Sequence, residues 1–261
     1  MDFANFAVKN TLYMAIIKSI IIWIAGISVL VLLFPVTFII WLIVLPFDKS
    51  RVIIHWILVC QGMILARIFS FRKIQIEGRE NIVKGTTYVI ISNHQSILDT
   101  LLLYGIRYKF KWVSKIENTK VPILGWYLKM ADYIIVDRGN EESKVEMLEK
   151  SDSCLKNGIS IMIFPEGTRS LNMEIGFFKR GAFQLAIQND VPILPVVIDG
   201  TGGILPKHGL IFGSGSSFRI RVMAPILTSS FETTNPDDLA LKISSLMSFQ
   251  LQELRNSGSI K

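Results

Sequence analysis

The sequence predicts an α/β fold with a mixed, largely parallel sheet covered by helices, preceded by an N-terminal membrane-associated helical hairpin. Two observations lead to this prediction. Residues 19–47 carry no charged side chain, and from residue 71 onward short apolar runs alternate with amphipathic stretches. Strands that are apolar on both faces and alternate with helices are typical of sheets covered on both sides. The 261 residues are therefore predicted to divide into a hairpin at 1–70 and an α/β domain at 71–261.

The N-terminal hairpin is predicted from two apolar runs. Residues 19–47 would span about 43 Å as a helix, whereas the hydrocarbon core of a bilayer is about 30 Å thick. Pro35 lies within this run and removes a backbone donor, so the run predicts either one straight helix or a helix that is kinked or broken in two at this point. Residues 46–51 predict a turn, and residues 52–66 form a second, shorter apolar run. The first run is too long for a cleaved signal peptide. The alternative is a buried core hairpin of a soluble protein.

Strands and helices of the second part follow from hydrophobic periodicity. Strands are predicted at residues 74–77, 88–91, 133–136, 159–164, 193–198 and 218–222. Helices are predicted at residues 96–108, 141–156, 177–188 and 237–254. The apolar face of the last helix is expected to pack on the core. Pro192 and Pro195 frame an apolar run and are expected to exclude a central hydrogen-bonded register, which would shape a hydrophobic slot.

Composition and charge exclude several classes of protein. Half of the residues are hydrophobic and 19% are charged, which argues against disorder and collagen-like repeats. The formal net charge is +7, but the basic residues are spread along the chain, so we expect no nucleic acid partner. A membrane surface or an anionic small substrate fits this charge better. Cys60 and Cys154 provide neither a disulfide framework nor a zinc site, so we expect no metal and a reducing, cytoplasmic setting.

A histidine and an aspartate follow the predicted strand at residues 88–91. His94 and Asp99 are five residues apart, so on one continuous helix they would point about 140° apart. They meet only if His94 lies in a loop, for which Ser92 or Asn93 would serve as the helix cap. In that geometry His94 is a general base and Asp99 holds its tautomer. The alternative is a histidine that merely caps a loop.

The sequence offers no obvious protein nucleophile. No G-x-S-x-G elbow is present. Ser96 is a poor nucleophile candidate, because it lies only two residues after His94. The proton donor is therefore predicted to be a hydroxyl of the substrate, which indicates direct transfer without a covalent enzyme intermediate.

Cationic side chains are predicted to gather at the carboxyl ends of the strands. Residues 164–170 follow a predicted strand, and there Gly167 permits a tight turn while the guanidinium of Arg169 is suited to pair with phosphate. Arg138 also lies at a strand end, and Lys115 is placed similarly. Three cations beyond three strand ends favour an anion pocket. The alternative is a surface turn in which Glu166 and Arg169 pair with each other.

Four blocks together resemble the glycerophospholipid acyltransferase family, most closely the bacterial 1-acyl-sn-glycerol-3-phosphate acyltransferases. The first block is N-H-x-x-x-x-D from Asn93 to Asp99. The others are V-D-R at residues 136–138, F-P-E-G-T-R-S at 164–170 and V-P-I-L-P at 191–195. The resemblance covers residues 70–200, and four blocks in this order are far more specific than one.

The resemblance implies a glycerolphosphate acyltransferase-like fold and a reaction. His94, oriented by Asp99, would deprotonate the 2-hydroxyl of a lysophosphatidate acceptor, which would attack an acyl thioester to give phosphatidic acid. The donor would be acyl carrier protein or coenzyme A carrying the acyl chain, with no further cofactor and no metal. The acceptor would be bound by residues of the third block and by two further cations, namely Lys115, Arg138, Glu166, Gly167, Thr168 and Arg169, with Lys179 and Arg180 extending the basic surface.

The resemblance also implies a location, and the sequence leaves alternatives open. The hairpin would contact membrane lipids, and the catalytic domain would lie on the cytoplasmic side of a bacterial inner membrane. In a second hypothesis the enzyme is an acyltransferase whose acceptor is another lysophospholipid or glycerol 3-phosphate. In a third, the chain is a non-enzymatic membrane lipid-binding protein with the same fold. A fourth, an α/β hydrolase, predicts a reactive serine or cysteine. The acyl-chain length, the oligomeric state and the depth of the hairpin in the bilayer are not encoded in these motifs.

Overall fold

The computed structural model describes residues 3–70, 74–213, 217–231 and 234–257. The predicted boundary between the two parts of the chain falls next to residues 71–73, which lie outside the described residues. Helices and strands follow in this order: α1 Phe3–Val44, α2 Val52–Ser70, β1 Ile74–Glu77, β2 Val89–Ser92, α3 Leu98–Leu103, β3 Phe110–Lys115, α4 Leu124–Met130, β4 Ile134–Val136, α5 Glu141–Lys156, β5 Ser160–Ile163, α6 Gly181–Gln188, β6 Ile193–Asp199, α7 Thr201–Ile204, β7 Phe218–Val222 and α8 Pro236–Ser257.

A seven-stranded sheet forms the centre of the fold, in the order β1-β7-β6-β2-β5-β3-β4. Every neighbouring pair is parallel except β6 with β7, which is antiparallel. Strands β2 and β6 are buried along their whole length, as expected for strands covered by helices on both faces. The predicted fold class is therefore confirmed, and the carboxyl ends of β2, β5, β3, β4 and β6 share one edge of the sheet.

The first helix, α1, is continuous through Pro35, so of the expected alternatives the break into two shorter helices is wrong. Its large apolar side chains are mostly exposed, among them Tyr13, Ile24 and Leu32 at 64%, 60% and 72%. A core helix of a soluble protein would bury these side chains. Residues 9–44 and 52–69 are each long and apolar enough to cross a membrane by length and composition, and they favour membrane association.

The second helix, α2, runs back along α1 and joins the core of the α/β domain. It begins where Asp48 accepts the amide hydrogens of Val52 and Ile53 at 2.7 and 2.8 Å, which stabilises the predicted turn. Its side chains Ile54, Leu58, Leu65 and Phe69 belong to the same hydrophobic cluster as residues of α3, β3, β6 and β7. The hairpin is thus packed into the fold and is not a detached anchor.

Helices α5, α6 and α8 cover the opposite face of the sheet. The inner face of α8 buries Leu239, Ile243, Met247, Leu251 and Leu254, at the spacing of one helical stripe. This confirms that the apolar face of the last helix packs on the core. The two faces of the sheet are therefore covered differently: one packs on the apolar hairpin, and the other packs on the helices α5, α6 and α8.

Pro195 lies inside β6, an internal strand, so the expectation that the prolines exclude a central register is wrong. Pro195 pairs in register with Ile91 of β2, and its carbonyl accepts the amide hydrogen of Met223 at 3.0 Å. The N–H and C=O of a strand residue point to the same side. The N–H group that proline lacks would therefore point toward Met223, which follows the last residue of β7, Val222. The missing N–H breaks no pair within the two strands.

Candidate active site

The turn that carries His94 follows β2 in the middle of the sheet and is fixed by polar side chains. Asn93 donates from Nδ2 to the carbonyl of Ile198 at 2.9 Å and accepts the Ile198 amide hydrogen at Oδ1 at 2.8 Å. Ser96 donates from Oγ to the carbonyl of Leu205 at 2.7 Å. All three bonds are buried. They hold the turn at the carboxyl edge of the sheet.

His94 and Asp99 are brought together because His94 lies in this turn. Nδ1 of His94 is 2.8 Å from Oδ2 of Asp99, and the side chain of Asp99 is fully buried while that of His94 is 15% exposed. A carboxylate accepts, so we assign the proton to Nδ1, which leaves Nε2 as the basic nitrogen. This is the arrangement of a general base with an orienting carboxylate.

Asp99 also folds the turn, which corrects the predicted cap. Its Oδ2 accepts the amide hydrogens of Gln95 and Ser96 at 2.7 and 2.8 Å. Helix α3 begins after Ile97 and has no side-chain cap, so neither Ser92 nor Asn93 fills that position. Asn93 is instead committed to β6, and the carboxylate of Asp99 satisfies the free amides from inside the first turn.

Glu166 supports His94 through the backbone. Its Oε1 accepts the amide hydrogen of His94 at 2.9 Å, and its Oε2 accepts that of Gly176 at 3.1 Å. Burial raises the pKa of this carboxyl, and the two amide bonds oppose that rise. Among the described residues no ion pair joins Glu166 to Arg169, so the alternative in which these two charges pair at a surface turn is wrong. One carboxylate oxygen holds the backbone of His94 and the other holds the backbone of Gly176. Glu166 is therefore a positioning residue.

Phe164 is a site residue that the sequence interpretation missed. Its ring stacks on the imidazole of His94 with centroids 3.8 Å apart and planes 10° apart. Behind it, Trp112 stacks on Phe164 with centroids 5.4 Å apart. In the sequence Phe164 is simply the last apolar residue of a strand. The only signal was its position directly before Pro165 and Glu166.

Two cations, Arg138 and Lys179, lie against the turn at Gly167. Arg138 donates to the carbonyl of Gly167, and burial lowers the pKa of its guanidinium, an effect that Glu117 opposes. Gly167 has φ +69°, and a Cβ there would lie 3.0 Å from Nζ of Lys179. Arg169 is half-buried and Thr168 exposed.

The predicted cations differ in whether an acidic side chain already pairs with them. Lys115 ends β3 and forms an ion pair with Glu117 at 2.7 Å. Within the described ranges, by contrast, no acidic side chain pairs with Arg169, Lys179 or Arg180. Residues 167–180 therefore present more uncompensated positive charge than Lys115 does.

Metal ligands are not assembled at this site. Within the described part of the chain, no group of three or more His, Cys, Asp and Glu side chains could hold a metal ion. The expectation that the protein uses no metal or other cofactor stays a prediction.

The fold and the site define a class: an α/β protein that places a histidine–carboxylate pair and a cationic turn at one sheet edge, beside an apolar hairpin. A crystal structure of the 1-acyl-sn-glycerophosphate (LPA) acyltransferase from Thermotoga maritima has the same fold, with a TM-score of 0.80 over 93% of this chain and 97% of that chain. The two sequences are 23% identical, so this likeness establishes the fold alone.

Sequence comparisons name the family. A family model described as Acyltransferase matches residues 73–199. An uncharacterized acyltransferase of Schizosaccharomyces pombe is 32% identical over 74% of this chain and 70% of its own length. The chloroplastic 1-acyl-sn-glycerol-3-phosphate acyltransferase LPAT1 of Arabidopsis thaliana is 38% identical over 61% of this chain, but only 45% of the relative is covered. The chain spans about half the length of the first curated relatives. It belongs to the acyltransferase family, which confirms the resemblance.

Proposed function

We propose that this protein transfers an acyl chain from a thioester to the sn-2 hydroxyl of 1-acyl-glycerol-3-phosphate, giving phosphatidic acid. The observation that carries the proposal is the 2.8 Å contact between Nδ1 of His94 and Asp99. It leaves Nε2 free to accept a proton at the edge of the sheet. The names of LPAT1 and of the Thermotoga enzyme both specify this acceptor.

The proposed reaction needs one base and no covalent enzyme intermediate. Nε2 of His94 takes the proton of the 2-hydroxyl as its oxygen attacks the thioester carbonyl carbon. When the tetrahedral intermediate collapses, the C–S bond breaks and the thiol leaves with that proton. Asp99 stabilises the imidazolium in between. The hydroxyls of Ser92 and Ser96 donate to the carbonyls of Asn93 and Leu205, which supports a substrate hydroxyl as the nucleophile.

The acceptor phosphate is proposed to bind at the turn of Gly167. Arg169 supplies a guanidinium that can pair with phosphate bidentately, and Lys179 lies against Gly167. Arg138 holds the carbonyl of Gly167 and so shapes the turn. Lys115 and Thr168 are proposed contacts at the outer side of the pocket. The donor is a thioester of acyl carrier protein or of coenzyme A.

The decisive assay measures phosphatidic acid formed from lysophosphatidate by the purified, detergent-solubilised protein. His94→Ala is compared with His208→Ala, which removes an exposed histidine. We expect at least about a hundredfold loss for His94→Ala, since general-base catalysis contributes that much or more, and no loss for His208→Ala. Equal activity of the two variants would remove His94 from the mechanism.

The same assay separates the competing hypotheses. Transfer to glycerol 3-phosphate or to another lysophospholipid, with lysophosphatidate ignored, would replace the acceptor and keep the mechanism. No transfer to any acceptor would leave the non-enzymatic lipid-binding hypothesis. Covalent labelling by a serine- or cysteine-directed probe would support a hydrolase. Parallel reactions with acyl carrier protein and coenzyme A thioesters decide the donor.

We propose that the site faces the cytoplasm at a bacterial inner membrane. Cys60 and Cys154 are free, as expected in a reducing compartment. Trypsin added to sealed vesicles is the test. Inverted inner-membrane vesicles should expose the α/β domain to cleavage while right-side-out vesicles protect it, and the reverse pattern would place the site on the other side.

A further inference from the structure

Two loops beside His94 carry unusually exposed apolar side chains. Beyond residue 51, the three most exposed large apolar side chains among the described residues are Phe177 at 78%, Leu171 at 77% and Leu210 at 72%. They lie in residues 170–178 and 205–212, here called the rim loops. Apolar surface costs free energy in water roughly in proportion to its area. Its concentration at one site indicates a binding surface.

Both rim loops are attached to the turn of His94. The amide of Ser170 donates to the carbonyl of His94 at 2.7 Å, and Gln95 donates from Nε2 to the carbonyl of Met173 at 3.0 Å. On the other side Ser96 holds the carbonyl of Leu205 at 2.7 Å. The exposed side chains therefore project from loops that are hydrogen-bonded to the turn of His94.

The second rim loop is also joined to α1. Trp23 donates from Nε1 to the carbonyl of Leu210 at 2.9 Å, and the amide of Phe212 donates to Oγ of Ser19 at 2.8 Å. Next to these contacts, Ile20 and Ile24 of α1 are 52% and 60% exposed. The apolar surface of the membrane-associated helix thus continues onto the catalytic domain through Leu210.

The charges around the rim loops complement an anionic surface. Lys179 and Arg180 directly follow the first loop, and Lys207 lies within the second. Glu174 is the only acidic residue of the two loops, and Arg255 neutralises it at 2.5 Å. No acidic side chain of the described residues pairs with the three cations. Apolar side chains flanked by unpaired Lys and Arg are typical of segments that lie in the headgroup region of a bilayer.

We propose that the rim loops form a second membrane contact, in which Leu171, Phe177 and Leu210 enter the interface of a bilayer that contains anionic lipids. The hairpin provides the anchor, and the rim loops fix how the domain faces the surface. The hairpin and the two rim loops together would hold the turn of His94 at the headgroup layer. This surface does not depend on the reaction proposed above.

The test is the depth of single labelled cysteines in the full chain. In a Cys60→Ser, Cys154→Ser background, Phe177→Cys and Leu210→Cys are labelled with an environment-sensitive fluorophore. The protein is reconstituted in vesicles of phosphatidylethanolamine with a minor fraction of phosphatidylglycerol. The controls are Leu241→Cys and Phe249→Cys, which are 65% and 60% exposed on α8, across the sheet from the hairpin.

We expect blue-shifted emission and at least about twofold stronger quenching by lipid-borne quenchers at residues 177 and 210 than at 241 and 249. Equal quenching at all four positions would overturn the proposal. High salt or omission of phosphatidylglycerol should weaken quenching at Phe177→Cys, because the Debye length shortens or the anionic charge is removed. Circular dichroism of each labelled protein confirms that it is folded.

A second measurement links the surface to turnover and rests on the proposed function. Phe177→Ser and Leu210→Ser should raise KM for lysophosphatidate in vesicles several-fold without lowering kcat in detergent. Phe249→Ser should change neither. The fluorescence result stands without any activity, so failure of the reaction and failure of the membrane contact are distinguished.

Discussion

The imidazole of His94 lies flat against the ring of Phe164, with centroids 3.8 Å apart and planes 10° apart. The Asp99 contact fixes one edge of the imidazole, and the stack fixes its plane. An aromatic face also attracts a cation, by about 0.5–2 kcal/mol. In the reaction proposed above, Phe164 therefore favours the imidazolium that His94 forms on taking a proton, and its ring covers one face of the imidazole.

Phe164→Leu should lower kcat, whereas a matched Phe→Leu change elsewhere in the core should lower only the thermal stability. We expect kcat for Phe164→Leu to fall about 10-fold, which corresponds to about 1.4 kcal/mol of lost stabilisation. Phe183→Leu is the control, because Phe183 is fully buried in the core on the α8 side of the sheet. It should lose a similar amount of thermal stability and keep its kcat. Identical kcat values in the two variants would mean that Phe164 is only a packing residue.

Asp99→Asn tests the charge of the carboxylate apart from its shape. The asparagine oxygen can still accept from His94, Gln95 and Ser96, and its amide can occupy the position of Oδ1, a buried atom with no hydrogen-bond partner in the described residues. The turn should therefore form. Without the charge the imidazolium is less stable, so we expect kcat to fall about 10²- to 10⁴-fold. Steady-state kinetics check this, with Asp152→Asn, an aspartate of α5, as a control that should retain full activity.

Gly167→Ala tests the cationic turn. A φ of +69° costs an L residue about 1–2 kcal/mol, and the new Cβ would press on Nζ of Lys179 at 3.0 Å. We expect a several-fold rise in KM for the acceptor with a smaller change in kcat. Gly158→Ala is the matched control, since Gly158 has φ +72° but lies away from the site. It should lose similar stability and keep its KM; a rise in both KM values would exclude a local effect at Gly167.

Glu166 should make stability depend on pH in a defined direction. Burial raises the pKa of this carboxyl in the folded protein, so its stabilising contribution is complete below the ordinary value of 4.5 and is lost as the pH rises through the folded pKa. Glu166→Gln has no such titration. The melting temperature of the wild type relative to Glu166→Gln should therefore fall as the pH rises from below 4.5 to neutral. Thermal unfolding in detergent measures both melting temperatures. A wild-type melting temperature that rises relative to that of Glu166→Gln as the pH increases would contradict the assignment.

The elements predicted best are those whose signals are local. Helix α5 has the predicted bounds, because Asn140 caps it and accepts the Ser143 amide hydrogen at 3.1 Å. Strand β3 was indicated only by its end at Lys115. Lys111 interrupts its apolar pattern, yet the chain buries this lysine because Asp132 pairs with it. That partner lies on another segment, so no local pattern reveals it.

The contacts of the site also differ in whether local sequence predicts them. The spacing of His94 and Asp99 was sufficient to predict that they meet if His94 lies in a loop. The contact between Glu166 and the His94 amide joins segments 72 residues apart, and the Phe164 stack does likewise. Both depend on β2 and β5 being neighbours in the sheet, which no motif specifies. Helix α6 begins four residues later than predicted, because residues 177–180 belong to the loop that follows Glu166. Helix α3 begins two residues late and ends at Leu103, where a 3-10 turn at Tyr104–Ile106 follows.

The hydrophobic cluster that α2 shares with the α/β domain has a consequence for biogenesis. The hairpin is synthesised before the α/β domain, but the hydrophobic cluster that contains Ile54, Leu58 and Phe69 includes residues as late as Val222. Until those emerge, one side of α2 has only lipid or a chaperone to shield it. The hairpin and the domain therefore share one core, and that core is complete only after the last strand of the sheet has been synthesised.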